Sequence, residues 1–242
     1  MNTTLEKNDF LNEVKSLISP TMGTEQMAPL LYALIKFVRP HRVLEIGGGL
    51  TTIYILAALK ELFLLEKDEN EGKETNFNIK LKNQEYYKLN HPKFFLHSFD
   101  NFGHPDTSAN KVEKIAKKLK LDEYLKLWNN DYRDINKLMP DNEKKFDLIW
   151  CDLGGLDHYL VQQEVLFPLL SDRMGSYIIF HSTLSNVHGM AFLSQLKLSI
   201  QQGQLQGFEL ISLFEPHKMR QNSCTIIRKS RGISNRIYSE RP

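Results

Sequence analysis

An α/β fold, a mainly parallel sheet flanked by helices, is what this sequence predicts, and three observations predict it. Short apolar, β-rich runs alternate with stretches of helical spacing along most of the 242 residues. The first of these runs, Val43-Leu44-Glu45-Ile46, ends in Gly47-Gly48-Gly49 and passes at once into a helical pattern, which is how a strand–turn–helix–strand unit begins. Later runs end at Asp100, Asp131, Asp152 and His181, so polar residues stand where the carboxyl ends of parallel strands would be.

Taken in order, Leu11, Val14, Leu17 and Ile18 have helical spacing that stops at Pro20. Thr21-Met22-Gly23-Thr24 reads as a turn and cap before a second helix over 26–38. Its apolar stripe is Met27, Leu30, Leu31, Leu34, Ile35 and Val38, with Pro29 tolerated in the first turn and Pro40 beyond the end. After the strand at 43–46, Thr51 opens a helix carrying Ile55, Leu56, Leu59, Leu62 and Phe63 and reaching about Glu66. Residues 67–92, rich in Lys, Asn and Glu, read as a surface insertion. A strand at 94–99 follows, then a helix capped by Thr107 or Ser108 and running to Leu119. Strands are expected at 125–128, 146–151 and 176–180, helices at 159–170 and 191–200, and two closing strands at 208–214 and 224–227 joined by a turn containing Pro216.

Composition narrows the function classes. With 41% hydrophobic and 25% charged residues the chain is neither disordered nor collagen-like. Its 31 basic and 29 acidic side chains leave a net charge of only +2, which argues against nucleic acid or an anionic membrane as partner. Two distant cysteines, Cys151 and Cys224, make no disulfide framework and suit a reduced, cytoplasmic setting. No apolar run approaches the roughly 20 residues that span a bilayer, and Glu6 and Asp9 make the N-terminus unlike a signal peptide.

The glycine turn carries the chemistry. It lets the backbone approach a ligand and take positive φ. Gly47 and Gly49 fit the dinucleotide fingerprint G-x-G-x-x-G, but its last position is Thr52, and the Gly-Lys-Ser/Thr of a P-loop is absent. An acid, Glu45, stands two residues before the first glycine. A carboxylate aimed into such a crevice suits a ligand with a cationic group rather than a pyrophosphate.

Val43-Leu44-Glu45-Ile46-Gly47-Gly48-Gly49-Leu50-Thr51-Thr52 resembles the first motif of the class I S-adenosylmethionine-dependent methyltransferases. The resemblance extends over 21–229 and is nearest the small-molecule, catechol-type O-methyltransferases. Met22-Gly23-Thr24-Glu25-Gln26 looks like that group's lead-in, Phe146-Asp147-Leu148-Ile149-Trp150-Cys151-Asp152 like its fourth-strand motif, and Gly175 to Phe180 like its fifth strand. It implies a Rossmann-like, seven-stranded, mainly parallel sheet with an antiparallel last strand, and S-adenosylmethionine (SAM) as cofactor. The implied division is an N-terminal helical cap over 1–38, a methyltransferase domain over 39–230 with the 67–92 insertion, and a polar basic tail over 231–242. Glu45, Gly47, Gly48, Gly49 and Thr51 would hold the methionine part of the cofactor. Asp100, with Asn101, would meet the ribose hydroxyls, Asp131 and Tyr132 the adenine, and Asp152 the amino group and the transferring methyl. Asp100 lies farther from the glycines than the roughly 20 residues usual for a ribose acid, and Glu66 and Asp68 lie nearer that spacing. Asp100 is preferred because no Gly, Pro or Asn between 51 and 66 would end the helix.

Methyl transfer to an oxygen, or less readily a nitrogen, of a small molecule needs a positioned nucleophile and a base for its proton. His181, with an ordinary pKa of about 6.5, is the expected base and Asp152 its competitor. Metal-dependent members of the group carry an Asp-Asn pair after the fifth strand, where His181-Ser182 stands here. Asp152, His158, His181 and His217 are the side chains a divalent ion could use, but no metal ligand is assigned. Cys151, Trp128 and Trp150 read as core, and Glu215-Pro216-His217-Lys218 as a turn that can border an acceptor pocket. A homodimer is compatible with all of this. The alternatives are a nicotinamide-dependent oxidoreductase and a non-catalytic binding module on the same fold.

Overall fold

The computed structural model describes residues 4–6, 8–19, 23–70, 94–153, 164–173 and 175–230. Its main elements are α1 (Asn8–Lys15), α2 (Met27–Val38), β1 (Arg42–Ile46), α3 (Leu50–Asn70), β2 (Phe95–Asp100), α4 (Ala109–Lys118), β3 (Leu125–Asn129), α5 (Ile135–Leu138), β4 (Leu148–Cys151), β5 (Tyr177–His181), α6 (Val187–Gln201), β6 (Phe208–Phe214) and β7 (Ser223–Lys229). The seven strands form one sheet in the order β3-β2-β1-β4-β5-β7-β6. All neighbours are parallel except those of β7, which runs against both β5 and β6. Strand order reverses between β1 and β4, and a ligand crevice opens beyond the carboxyl ends at such a reversal.

Two apolar cores lie on the two faces of this sheet. One joins Val43, Leu96 and Leu148 to residues of α1, α2, α3 and α4. The other joins Leu44, Ile149 and Ile178 to Ile135, Phe192 and Leu196. Strand alternation sends successive side chains to opposite faces, which is why Val43 and Leu44 belong to different cores. α3 is apolar over most of its surface because α2 and α4 both pack on it. Ile53, Ile55, Leu56, Leu59 and Leu62 are all fully buried there. α2 ends at Arg39, held left-handed at φ 54°, with its N–H on the Ile35 carbonyl at 2.8 Å. The N-terminal helices are tied down by Glu61 of α3, which accepts from the Thr4 N–H at 2.6 Å, the Tyr32 hydroxyl at 2.5 Å and the Lys36 ammonium at 2.5 Å. Burial raises the Glu61 pKa, but these donors outweigh it and bring it down to about 2.

The expected helix after the glycine turn continues unbroken to Asn70, so residues 67–70 belong to α3 rather than to an insertion. The rest of the expected insertion lies outside the described residues, as do residues 159–163 of the expected 159–170 helix and the 231–242 tail; the remainder of that helix is helical over 164–166 and passes into a 3-10 turn over Phe167–Leu169. Strand 2 stands where expected, pairing Arg42 with Phe95 through to Ile46 with Phe99. The sixth helix begins at Val187 rather than 191, because Asn186 caps it by accepting the Gly189 N–H at 2.7 Å. Among the described residues no helix is long and apolar enough to cross a membrane.

Candidate active site

A cavity of about 690 Å³ lies at the carboxyl ends of β1, β2, β4 and β5. Its floor is the glycine turn. Gly47 has φ 90°, and a Cβ there would stand 2.7 Å from the Asp152 carbonyl oxygen, so a side chain is excluded twice over. The three glycine amides all have internal partners. Gly47 N–H donates to the Phe99 carbonyl at 2.9 Å, Gly48 N–H to Asp100 Oδ2 at 3.0 Å and Gly49 N–H to Thr52 Oγ1 at 2.9 Å. A turn that binds pyrophosphate keeps such amides for the ligand. Here they are engaged by the chain's own oxygens, and what faces the cavity is carboxylate.

Asp100, Asn101, Asp131, Tyr132, Asp152 and His181, separated by up to 81 residues in the chain, line this one cavity with Gly47, Gly48, Gly49 and Thr51. Asp100 Oδ1 also accepts the Phe102 N–H at 2.6 Å. Burial pushes its pKa up, against the pull of the Phe102 and Gly48 amides. Asn101 is exposed, its Oδ1 on the Gly103 N–H at 3.0 Å. Asp131 accepts from the Arg133 N–H and Nε, each at 2.9 Å, which fixes its carboxylate at the cavity edge. Tyr132 is buried, and its hydroxyl has no hydrogen-bond partner among the described residues. Burial first, and then Asp131 and Cys151, carries its pKa to about 12.

Asp152 and His181 form a pair, Oδ1 to Nδ1 at 2.6 Å. The imidazole is 2% exposed and the carboxylate 28%. Burial acts to lower the His181 pKa, but the Asp152 carboxylate and a hydrogen bond with the Gln221 backbone leave it raised above 6.5.

The expectation that Glu45 faces the crevice is corrected. Its side chain is fully buried beneath the turn, with Oε1 on the Thr51 hydroxyl at 2.7 Å and Oε2 on the Thr52 and Ser98 hydroxyls at 2.6 and 2.7 Å. Residue 45 points into the sheet's α3-side core, in register with Ser98 and Trp150, and strand pleating allows it no view of the opening. Burial dominates its pKa, which rises to about 7 despite the three hydroxyl donors. Thr51 lines the cavity, but its hydroxyl is turned down to Glu45.

Of the four side chains considered for a divalent ion, Asp152 and His181 meet. His217 is 64% exposed on the β6–β7 turn beside Glu215, and His158 lies outside the described residues. Among the described residues no group of three His, Cys, Asp or Glu is placed to hold a metal ion. Cys151 and Trp150 are core residues as expected, burial holding the Cys151 thiol far above its usual range. Trp128 is only partly buried, stacked on Phe99 with ring centroids 5.2 Å apart.

Sequence reasoning missed Leu17, Thr24, Arg133, Ser182, Arg220 and Gln221 of the lining. Leu17 and Thr24 come from the N-terminal segment, Arg220 and Gln221 from the β6–β7 turn. Only the fold brings these ends of the chain together. Gln221 accepts from the Gly23 N–H, and Lys218 reaches the Gly23 carbonyl at 2.7 Å. Ser182 and Gln221 are both left-handed non-glycine residues, with φ 58° and 48°. Such strained conformations cluster at ligand sites, but no sequence pattern announced them.

This fold recurs in known methyltransferases. TomG of Streptomyces achromogenes, an O-methyltransferase of tomaymycin synthesis solved with SAM, superposes with a TM-score of 0.63 at 12% identity, over 93% of this chain and 91% of that one. The O-methyltransferase of Bacillus cereus, solved with S-adenosylhomocysteine (SAH), gives 0.62 at 12% identity, over 93% of each chain. The SAH-bound methyltransferase PaMTH1 of Podospora anserina gives 0.59 at 14%, over 92% of this chain and 88% of that one. The chain therefore has the Rossmann-like fold of the class I methyltransferases. No protein-family model and no curated protein sequence matches it.

Proposed function

We propose that this protein is a SAM-dependent methyltransferase acting on an oxygen of a small-molecule acceptor. One observation carries the reading: the glycine-turn amides are taken up by Asp100, Thr52 and Phe99, so the cavity offers carboxylates to a donor-rich, cationic ligand. SAM has that character, with an ammonium, a sulfonium and two ribose hydroxyls. The same observation disfavours a nicotinamide dinucleotide, whose pyrophosphate would need the engaged amides. That the structural neighbours named above were solved with SAM or SAH supports the reading.

In this reading Asp100 accepts from the ribose hydroxyls, with Asn101 beside it. Asp131 and Tyr132 border the adenine, and the Gly47 cradle admits the methionine backbone where a Cβ would block it. Bound SAM supplies an electrophilic methyl group. The chain must then orient the acceptor in line with it and take the acceptor's proton. Asp152 Oδ2, the oxygen turned away from His181, receives the proton as the acceptor O–H bond breaks. His181, enclosed and held between Asp152 and Gln221, is a positioning residue that keeps the carboxylate oriented. The N-terminal segment, which contributes Leu17 and Thr24, acts as the cap over the acceptor end.

A thermal-shift comparison tests the cofactor. SAH is expected to raise the melting temperature and NAD to leave it in place; stabilisation by NAD and not SAH would overturn the reading. The roles of the pair are separable by turnover, followed as SAH release. Asp152→Asn is expected to lower kcat about a hundredfold or more with little change in KM. His181→Gln is expected to lower kcat about tenfold with KM little changed, because the carboxylate loses the partner that orients it. A larger loss in His181→Gln than in Asp152→Asn would make the imidazole the base.

A further inference from the structure

We propose that the acceptor carries a carboxylate and that Arg220 binds it. This deepens the methyltransferase reading and rests on it. Among the described residues each charged side chain around the cavity has a hydrogen-bond or ion-pair partner except one. Asp131 is held by Arg133, with Nη2 and Oδ2 at 2.9 Å, and Asp152 by His181. Asp100 is satisfied by two backbone amides. Arg220 lines the same cavity, is exposed, and has no hydrogen bond or ion pair among the described residues.

Its backbone is nevertheless fixed. The turn that carries it is braced by the Glu215 N–H on the Asn222 carbonyl at 2.6 Å and by Asn222 Nδ2 on the Lys218 carbonyl at 2.9 Å. Lys218 ties it to the N-terminal segment through the Gly23 carbonyl at 2.7 Å and Glu25 at 3.5 Å. Next to Arg220, Gln221 is bonded through its backbone to His181 and through its side chain to the Gly23 N–H. The braced turn fixes where this guanidinium starts from, so that binding an anion need order only the side chain, at about 0.5–1.5 kcal/mol, and not the loop as well. The guanidinium's planar fork fits a carboxylate in two parallel hydrogen bonds.

Position decides which ligand it serves. Asp100, Asn101 and Asp131 follow β2 and β3 on one side of the glycine turn; Arg220 follows β6 on the other, beyond β5 and its His181. It therefore stands on the β5 side of the cavity, next to Gln221, whose backbone is bonded to His181 and whose side chain meets the N-terminal segment, and in the proposed reading this is the acceptor end. A cofactor whose amino acid carboxylate is its only anionic group brings net positive charge into this cavity. An anionic acceptor balances that charge, whereas a neutral one leaves it uncompensated and a cationic one adds to it.

The experiment is calorimetric titration of SAH-saturated enzyme with matched pairs of hydroxylated acids and their amides, 3,4-dihydroxybenzoate against 3,4-dihydroxybenzamide among them. In the wild type at least one acid is expected to bind about tenfold tighter than its amide. In Arg220→Gln the two members of that pair are expected to bind alike, and in Arg220→Lys part of the preference is expected to return. SAH binding by each variant verifies that it is folded. Equal binding of acid and amide throughout the wild-type series, or no binding of any member, overturns the proposal, and so does a preference that persists in Arg220→Gln. Failure of the wild type to bind SAH at all is a different result, which sinks the methyltransferase reading and this one with it.

Discussion

Asp100→Ala is expected to weaken SAH binding by about a hundredfold, read by calorimetric titration. Two losses add. Hydrogen bonds from ribose hydroxyls to an ionised carboxylate contribute about 1.5–3 kcal/mol, and the Gly48 N–H loses its partner, which loosens the turn that forms the cavity floor. Asp100→Asn keeps an oxygen for Gly48 but removes the charge, so about tenfold weakening is expected. Melting of each variant without ligand separates lost binding from lost fold. Binding that survives in Asp100→Ala would remove the ribose contact from this residue. It would not return it to the helix after the glycines, since Glu66 lies 3.5 Å from His41 at the amino end of β1, the opposite side of the sheet from the cavity.

The second large effect concerns stability against pH. Glu45 titrates at about 7 in the fold, mainly because it is buried, against 4.5 when unfolded. Between those values the native protein binds a proton that the unfolded chain has released. The stabilisation is therefore complete below pH 4.5 and is lost as pH rises through about 7, a change of about 3 kcal/mol. His181 adds a loss of the same sign above 6.5, because its folded pKa is raised too. His97, which burial brings down to about 4, acts with the opposite sign between pH 5 and 6.5, and does so whatever stands at residue 45. The comparison between two proteins therefore isolates Glu45: from pH 5 to pH 8 in urea unfolding the wild type is expected to lose about 2–3 kcal/mol relative to Glu45→Gln, which cannot ionise. The same change with pH in both proteins would show that Glu45 does not sense this burial.

A carboxylate kept under the floor at this cost calls for a structural reason. Thr51, Thr52 and Ser98 come from the first turn of α3 and from β2, and Glu45 gathers their hydroxyls at one point. It thereby holds the start of α3 and the second strand in position around the glycine turn, and Thr52 in turn takes the Gly49 amide. The acid of the motif shapes the cavity from beneath and is not part of its lining.

Much of this protein is local in its chain. Alternating periods set the order of strands and helices, because strand and helix sort apolar residues differently. The glycine turn, and the polar residues at Asp100, Asp131, Asp152 and His181, were legible because a parallel sheet directs all its carboxyl ends to one edge. The direction of a side chain was not legible. Glu45 reads as a ligand contact on spacing alone, and only the pleat of β1 against β2 and β4 turns it inward. Nor was the pairing of Asp152 with His181, which the adjacent strands β4 and β5 bring side by side, or the meeting of Gly23 with Gln221, where the N-terminal segment packs on the closing hairpin. The class of fold and the edge where the cavity opens are written in the chain, since both follow from local periodicity. Which carboxylates line that cavity, and which of its cations has no partner among the described residues, is settled by folding, since burial and pairing depend on neighbours brought together only in the folded chain.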